Sequence, residues 1–402
     1  MITMKLYVAK SDVKSEKPIV LDDMILTKDM STSAGSKMLD GYMSLFDAEI
    51  IAKLKAAGYG ICGKANVGEM GIDLLGETSY YGECTDEKGN LTSASACIIK
   101  SGDAVASINV DVCGAPARAA AVSGLVYVKP TYGTVSRYGI IPGACSGECV
   151  SVTAKTAEEC RHILSSIAGH DDKDGTSLPE EKCALLKADA QRSSIKKIAV
   201  AMSLTDSADD STKALIEAFK SNAQGVEFTQ IDANELKYAQ AAWNILMSAE
   251  VCNNVSKYDG VKYGYRTENY SNIDELYTNS RTESFGYLLK STILFGSETL
   301  SEDNYMRVYD KALRIRRVLC EYFEDLFKEF DAVLMPVCSK TSYTKEETDA
   351  NTYIAYDESK YTAPAMITGL PRIVAGGVQL IGKPFSENSL LDLASVVSKE
   401  GK

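Results

Sequence analysis

Histidine is nearly absent. The 402 residues contain two, His162 and His170, so histidine-dependent acid–base catalysis and histidine-rich metal centres have almost no candidates. An excess of basic residues is missing as well. Lys and Arg number 43 against 55 Asp and Glu, a net charge of −12, which argues against direct nucleic-acid binding. No apolar run approaches the ~20 residues of a membrane span. No CxxC pair occurs among the 11 cysteines, so neither a zinc ribbon nor a redox pair is signalled. Cys145 and Cys149 come nearest, but two thiols without further ligands do not make a metal site. The odd cysteine count and an N-terminus without an apolar signal segment (MITMKLYVAKSD) point to a reducing, cytoplasmic setting. Internal repeats and low-complexity linkers are also missing.

What remains is a chain with 45% hydrophobic residues, enough for a large core. Helix and strand signals alternate. Asp47 to Ala57 places Ile50, Ile51 and Leu54 on one face, with Gly58 as a stop, and Tyr59 to Cys62 reads as a short buried strand. Thr156 with Glu159 forms a capping box ahead of Cys160, Ile163, Leu164 and Ile167, and Gly169 ends that helix. Strands are expected at 197–202, 226–231 and 332–335. Helices are expected at 211–220, at 304–329 and after a cap at Ser386. The polar stretch 170–187 reads as a loop. This alternation indicates an α/β protein, helices packed on a parallel or mixed sheet, expected as one domain over residues 1–402.

Residues 91–121 are dominated by small side chains, which allow close approach of backbone segments. They contain Asp111-Val112-Cys113-Gly114-Ala115. Shortly after come Lys129-Pro130-Thr131-Tyr132-Gly133 and Ser136-Arg137-Tyr138-Gly139. Ala168-Gly169-His170-Asp171 follows, then Tyr263-Gly264-Tyr265-Arg266, and near the end Gln379-Leu380-Ile381-Gly382-Lys383-Pro384-Phe385. In this order the blocks resemble the amidase signature family, and most closely the A subunits of tRNA-dependent glutamyl/aspartyl amidotransferases. The resemblance implies the amidase signature fold, a central mixed β-sheet flanked by helices on both faces. It implies glutamine hydrolysis by a lysine, a serine in a cis peptide and a nucleophilic serine, with backbone N–H groups as the oxyanion hole. No cofactor and no metal are implied. B and C subunits are the implied partners, and no membrane is involved.

Carried over position by position, the implied chemistry is missing. The lysine of the family's Pro-Ile-x-Ile-Lys-Asp-Asn segment falls on Asp22. The cis serine falls on Leu91 and the nucleophile on Ala115. The 24-residue separation of Leu91 and Ala115 equals the family's spacing of its two serines. The arginine expected two residues past the nucleophile falls on Ala117, with Arg118 one position late. The paired arginines of the substrate site fall on Ser291 and Thr292, and the aspartate for the substrate amino group falls on Ser359. The family's N-terminal helical region and its Pro-Cys-Gly loop before Gln379 have no counterpart in these residues. Cys113 is the one candidate for a substitute nucleophile, and Asp22 could act as a base towards Thr92 or Ser93. Lys64 and Lys129 belong to scaffold motifs, and His162 falls off its helix's apolar stripe. The expectation is a pseudo-amidase with a binding or regulatory role. The alternatives are an active glutamine-hydrolysing amidotransferase subunit or amidase with a relocated nucleophile, or a small-molecule amide binder.

Overall fold

The computed structural model describes residues 5–399. Its framework is one mixed sheet of eleven strands. In chain order these are β1 (Tyr7–Lys10), β2 (Pro18–Asp22), β3 (Gly60–Ala65), β4 (Ala106–Asp111), β5 (Val126–Lys129), β6 (Cys149–Ala154), β7 (Lys197–Ala201), β8 (Glu227–Ile231), β9 (Ala332–Pro336), β10 (Arg372–Ala375) and β11 (Val378–Gly382). Across the sheet the order is β1-β3-β2-β4-β6-β5-β10-β11-β9-β7-β8. β2 runs parallel to both β3 and β4, and β7 runs parallel to both β8 and β9. The remaining pairs are antiparallel.

β4, β5 and β6 are buried at every residue. They show no apolar–polar alternation because both faces of the sheet are covered. β5 displays the two faces directly. Val126 and Val128 join the cluster of Cys160, Ile163 and Leu164 from the Ala157–Ile167 helix. Tyr127, between them, joins Ala117, Ala120 and Ala121 from the Ala115–Ser123 helix. Successive strand residues point to opposite faces, so these helices lie on opposite sides. Amidase-type helix layers on both faces of a mixed sheet are therefore observed.

Most sequence-based boundaries hold to within a few residues. The Thr156–Glu159 capping box is formed. The strand expected at 59–62 runs on to Ala65. The helix expected from 304 begins with a π-helical turn at Tyr305–Tyr309 before Asp310–Glu329. The 170–187 stretch holds a short helix, Glu180–Cys183, and a 3-10 turn. Ser386 stands at the N-cap position as expected, directly before the Glu387–Lys399 helix, with its carbonyl accepting from the Leu390 N–H at 3.0 Å. Its hydroxyl donates back to the Lys383 carbonyl, a local turn bond that competes with capping.

Candidate functional site at the ends of three parallel strands

The carboxyl ends of β2, β3 and β4 lie side by side, the usual place for a ligand crevice in parallel sheet. A cavity of ≈ 50 Å³ opens there. Asp22 closes β2 and Asn66 follows β3. Thr92, Ser93 and Ser95 come from the start of the Ala94–Ser101 helix, and Ala115, Pro116 and Ala119 come from the Ala115–Ser123 helix. Among the described residues, no Lys, Arg or His lines the cavity.

Asp22 is buried, and its two oxygens are engaged separately. Oδ1 accepts from Asn109 Nδ2 at 3.0 Å and Oδ2 from the Val110 backbone N–H at 3.0 Å. Burial pushes the carboxyl up to about 7, against the pull of these two donors. Asn109 Nδ2 also reaches Ser95 Oγ at 3.2 Å, and Ser95 Oγ lies 3.0 Å from Ser93 Oγ. Asp22 bonds to neither Thr92 nor Ser93, the hydroxyls it was expected to serve as a base. Thr92 Oγ1 is instead 3.2 Å from Ser123 Oγ. Asn109 escaped the sequence reading, although a signal was present: an asparagine inside an otherwise buried strand needs partners.

Ala115 opens its helix at the cavity wall with a methyl group where a nucleophile would project. The loop before it is held from behind. Asp111 accepts from the Gly114 N–H at 2.6 Å, and its other oxygen takes bonds from Tyr127 Oη and Arg372 Nη2. Thr362 Oγ1 donates to the Cys113 carbonyl at 2.7 Å, and the lone Trp243 donates to the Val112 carbonyl at 3.2 Å. Gly114 has φ +99°, and a Cβ there would overlap the Thr362 side chain, so glycine is required at this turn. Cys113, the candidate substitute nucleophile, is buried with Sγ 3.4 Å from the Gly71 carbonyl. It does not line the cavity. Burial first, then the Asp111 and Asp73 charges, push its thiol well up, opposite to the direction a thiolate nucleophile needs.

Leu91 also stands apart from the cavity. It packs with Leu75 and Tyr343 in a separate apolar cluster. Its N–H bonds the Tyr343 carbonyl at 2.7 Å, and all peptide bonds among the described residues are trans. Its carbonyl receives Arg118 Nη1 at 3.2 Å, and the Arg118 guanidinium lies 5.6 Å from the Tyr343 ring centroid. The arginine that falls one position late thus holds the Leu91 carbonyl and does not line the cavity.

The substrate-side positions are not brought to this cavity. Ser291 and Thr292 turn their hydroxyls onto carbonyls of their own helix, at Leu288. Ser359 Oγ donates to the Tyr356 carbonyl and accepts from Asn244. Lys64 is buried against Thr32 and lowered to about 8 by burial. Lys129 is fully buried and likewise lowered. His162 is exposed beside Glu158. His170 ties its loop to Asp172 and the Leu178 carbonyl. No group of three or more metal-ligating side chains occurs among the described residues, and no described helix is long and apolar enough to cross a membrane.

The cavity can therefore present one carboxyl group, several hydroxyls and backbone dipoles. A nucleophile with a base in hydrogen-bond contact is not among them. This wall of strand ends on a mixed sheet defines an amidase-type scaffold, and the amidase family model matches residues 17–391. The chain belongs to the amidase family. It is similar to the glutamyl-tRNA(Gln) amidotransferase A subunit of Streptococcus pneumoniae, 33% identical over 96% of this chain and 83% of that protein. The Maridesulfovibrio salexigens counterpart of that protein is 31% identical over 95% and 83%. Among solved structures, the glutamyl-tRNA(Gln) amidotransferase A subunit of Thermotoga maritima superposes with a TM-score of 0.77 at 24% identity, covering 98% of this chain and 86% of that one. The S177A allophanate hydrolase of Kluyveromyces lactis reaches 0.80 at 20% identity, over 98% of this chain and 67% of that one.

Proposed function

We propose that the chain is a pseudo-amidase. In this reading it resembles the amidotransferase A subunits but has lost glutamine hydrolysis by the lysine–serine–serine route. It acts as a cytoplasmic binding or regulatory protein related to tRNA-dependent amidation of glutamate or aspartate. One observation carries the reading: the position of the base holds the Asp22 carboxyl, bonded to Asn109 and Val110, opposite the methyl of Ala115.

The size of the loss supports it. In serine hydrolases, removal of the nucleophile or the base alone costs on the order of 10⁶ in kcat, and further losses in the unit add little. What survives comes from binding and the oxyanion hole. Here the family's substrate grips fall on Ser291, Thr292 and Ser359, whose hydroxyls are spent on nearby backbone. Rescue through Cys113 is opposed by its burial and raised thiol.

The B and C subunits of the amidotransferase are the partners this reading assigns. It is tested by co-purifying the tagged chain with those subunits and assaying glutaminase on the same sample. A complex without glutaminase fits the reading. Glutaminase that rises with the amount of this chain sinks it.

A further inference from the structure

We infer that the cavity at Asp22 is a binding site for a small organic cation with paired N–H donors, of the amidinium or alkylammonium kind, and that it rejects carboxylates. The inference rests on the reading that Asp22 has replaced the family's lysine. It concerns charge preference, a property separable from the loss of hydrolysis.

Size sets the first limit. A volume of ≈ 50 Å³ holds about three or four waters, hence a ligand of about three or four heavy atoms.

Charge sets the second. The cavity carries Asp22 and Asp73 on its walls, with no cationic side chain among its described lining residues. Asp73 is consumed by its own loop, accepting from the backbone of Leu75, Gly76, Glu77 and Thr78. Asp22 is not consumed. A carboxylate offers about four acceptor positions, and the protein fills two, one on each oxygen. The remaining pair, one per oxygen, matches the two parallel N–H bonds of an amidinium. Thr92 and Ser93 line the same space; Ser93 Oγ is committed to the Ala96 N–H and to Ser95, and Thr92 Oγ1 keeps a lone pair for a further N–H. A carboxylate ligand would meet the Asp22 charge with no cationic side chain to offset it, only the partial positive charge at the starts of the Ala94–Ser101 and Ala115–Ser123 helices.

The other ionisable groups around Asp22 point the same way. Asp111 is held by Arg372, and Asp23, raised to about 6 by burial, is held by Ser33. The Cys84 thiol on the cavity wall is pushed up to about 12 and stays neutral near neutrality. Lys64, lowered to about 8, loses positive charge as pH rises towards 8. Asp22 itself gains negative charge as pH rises through about 7. Both changes favour a cation at higher pH.

Acetate, acetamide and acetamidinium form an isosteric series of anion, neutral molecule and cation. Their affinities for the full chain, measured by calorimetry or by chemical-shift titration, test the inference. Acetamidinium should bind most tightly and acetate not at all. The affinity for acetamidinium should rise about tenfold between pH 6 and pH 8, following ionisation of Asp22. Asp22→Asn should remove the preference for the cation. Ala115→Val, which narrows the cavity but leaves Asp22 and its donors in place, should weaken binding at least tenfold with circular dichroism unchanged.

Absence of acetamidinium binding overturns the inference. So does acetate binding as tightly as acetamidinium, or an acetamidinium affinity indifferent to both variants or to pH. If Asp22→Asn fails to fold, the pH series and Ala115→Val decide alone. Glutamine hydrolysis by the unmodified chain would overturn the proposed function without altering the order of the three probes.

Discussion

The Lys129–Gly139 block and the cavity wall are both rich in hydrogen bonds and differ in what those bonds hold. In the block, the motif residues bond to side chains from other parts of the chain. Ser136 Oγ donates to Asp171 Oδ2 at 2.6 Å, and the Arg137 N–H to Asp174 Oδ2 at 2.8 Å. Arg137 Nη1 pairs with Glu148 at 2.7 Å, and the Thr131 N–H donates to Glu387 Oε1 at 2.6 Å. Changing one partner leaves the other buried and unpaired, which costs about 1–3 kcal/mol, and more for a charge. At the wall, the positions to which the resemblance assigns chemistry hold side chains the fold uses. Asp22 takes two donors from β4, Leu91 fills an apolar cluster, and Ala115 leaves its helix start intact. Scaffold residues are tied to one another, whereas a catalytic side chain owes its identity to a substrate. When the reaction goes, only the second kind is free to change.

Three substitutions probe this contrast, from the largest expected effect to the smallest. Arg372→Ala leaves Asp111 buried with its charge partner gone, at a cost of about 3–5 kcal/mol. Urea unfolding should show it as a lower midpoint. A change under about 1 kcal/mol would mean that the arginine does not hold the Asp111–Ala115 loop. Leu91→Ser restores the hydroxyl that the family has there, yet should destabilise by at least about 2 kcal/mol, because Leu91 is now core. A neutral result would show that the position still tolerates the ancestral residue and would weaken the contrast. Gly133→Ala acts inside the retained block. Gly133 has φ +84° and its Cβ would overlap the Thr176 carbonyl oxygen. The left-handed backbone alone costs about 1–2 kcal/mol, read as a fall in Tm.

Much of this was legible in the sequence, and the pattern of what was not is informative. Local signals carried well. The Thr156–Glu159 box formed as expected, and Gly58, at φ +84°, follows the end of the Glu49–Ala56 helix. The motif order carried the fold, and two pairs of blocks bond directly, Ser136 to Asp171 and the Phe385 N–H to Thr131. The pairing of Arg372 with Asp111, 261 positions apart in the chain, left no local trace. Neither did the retreat of Leu91 from the cavity into a cluster with Tyr343. Both depend on the sheet order that sets β10 two strands from β6 and three from β4, and periodicity does not encode that order. At the site, spacing located Asp22 and Ala115, which share one cavity. It could not separate them from Leu91, Ser291, Thr292 and Ser359, whose contacts are decided by packing.

The most direct test is the release of glutamate from glutamine by the purified chain, alone and with the B and C subunits. No release above a protein-free control is expected under either condition. Turnover in the ordinary enzyme range, about 1–10³ s⁻¹, would contradict the claim that the reaction ended with Asp22 and Ala115, whether or not it survives Cys113→Ala.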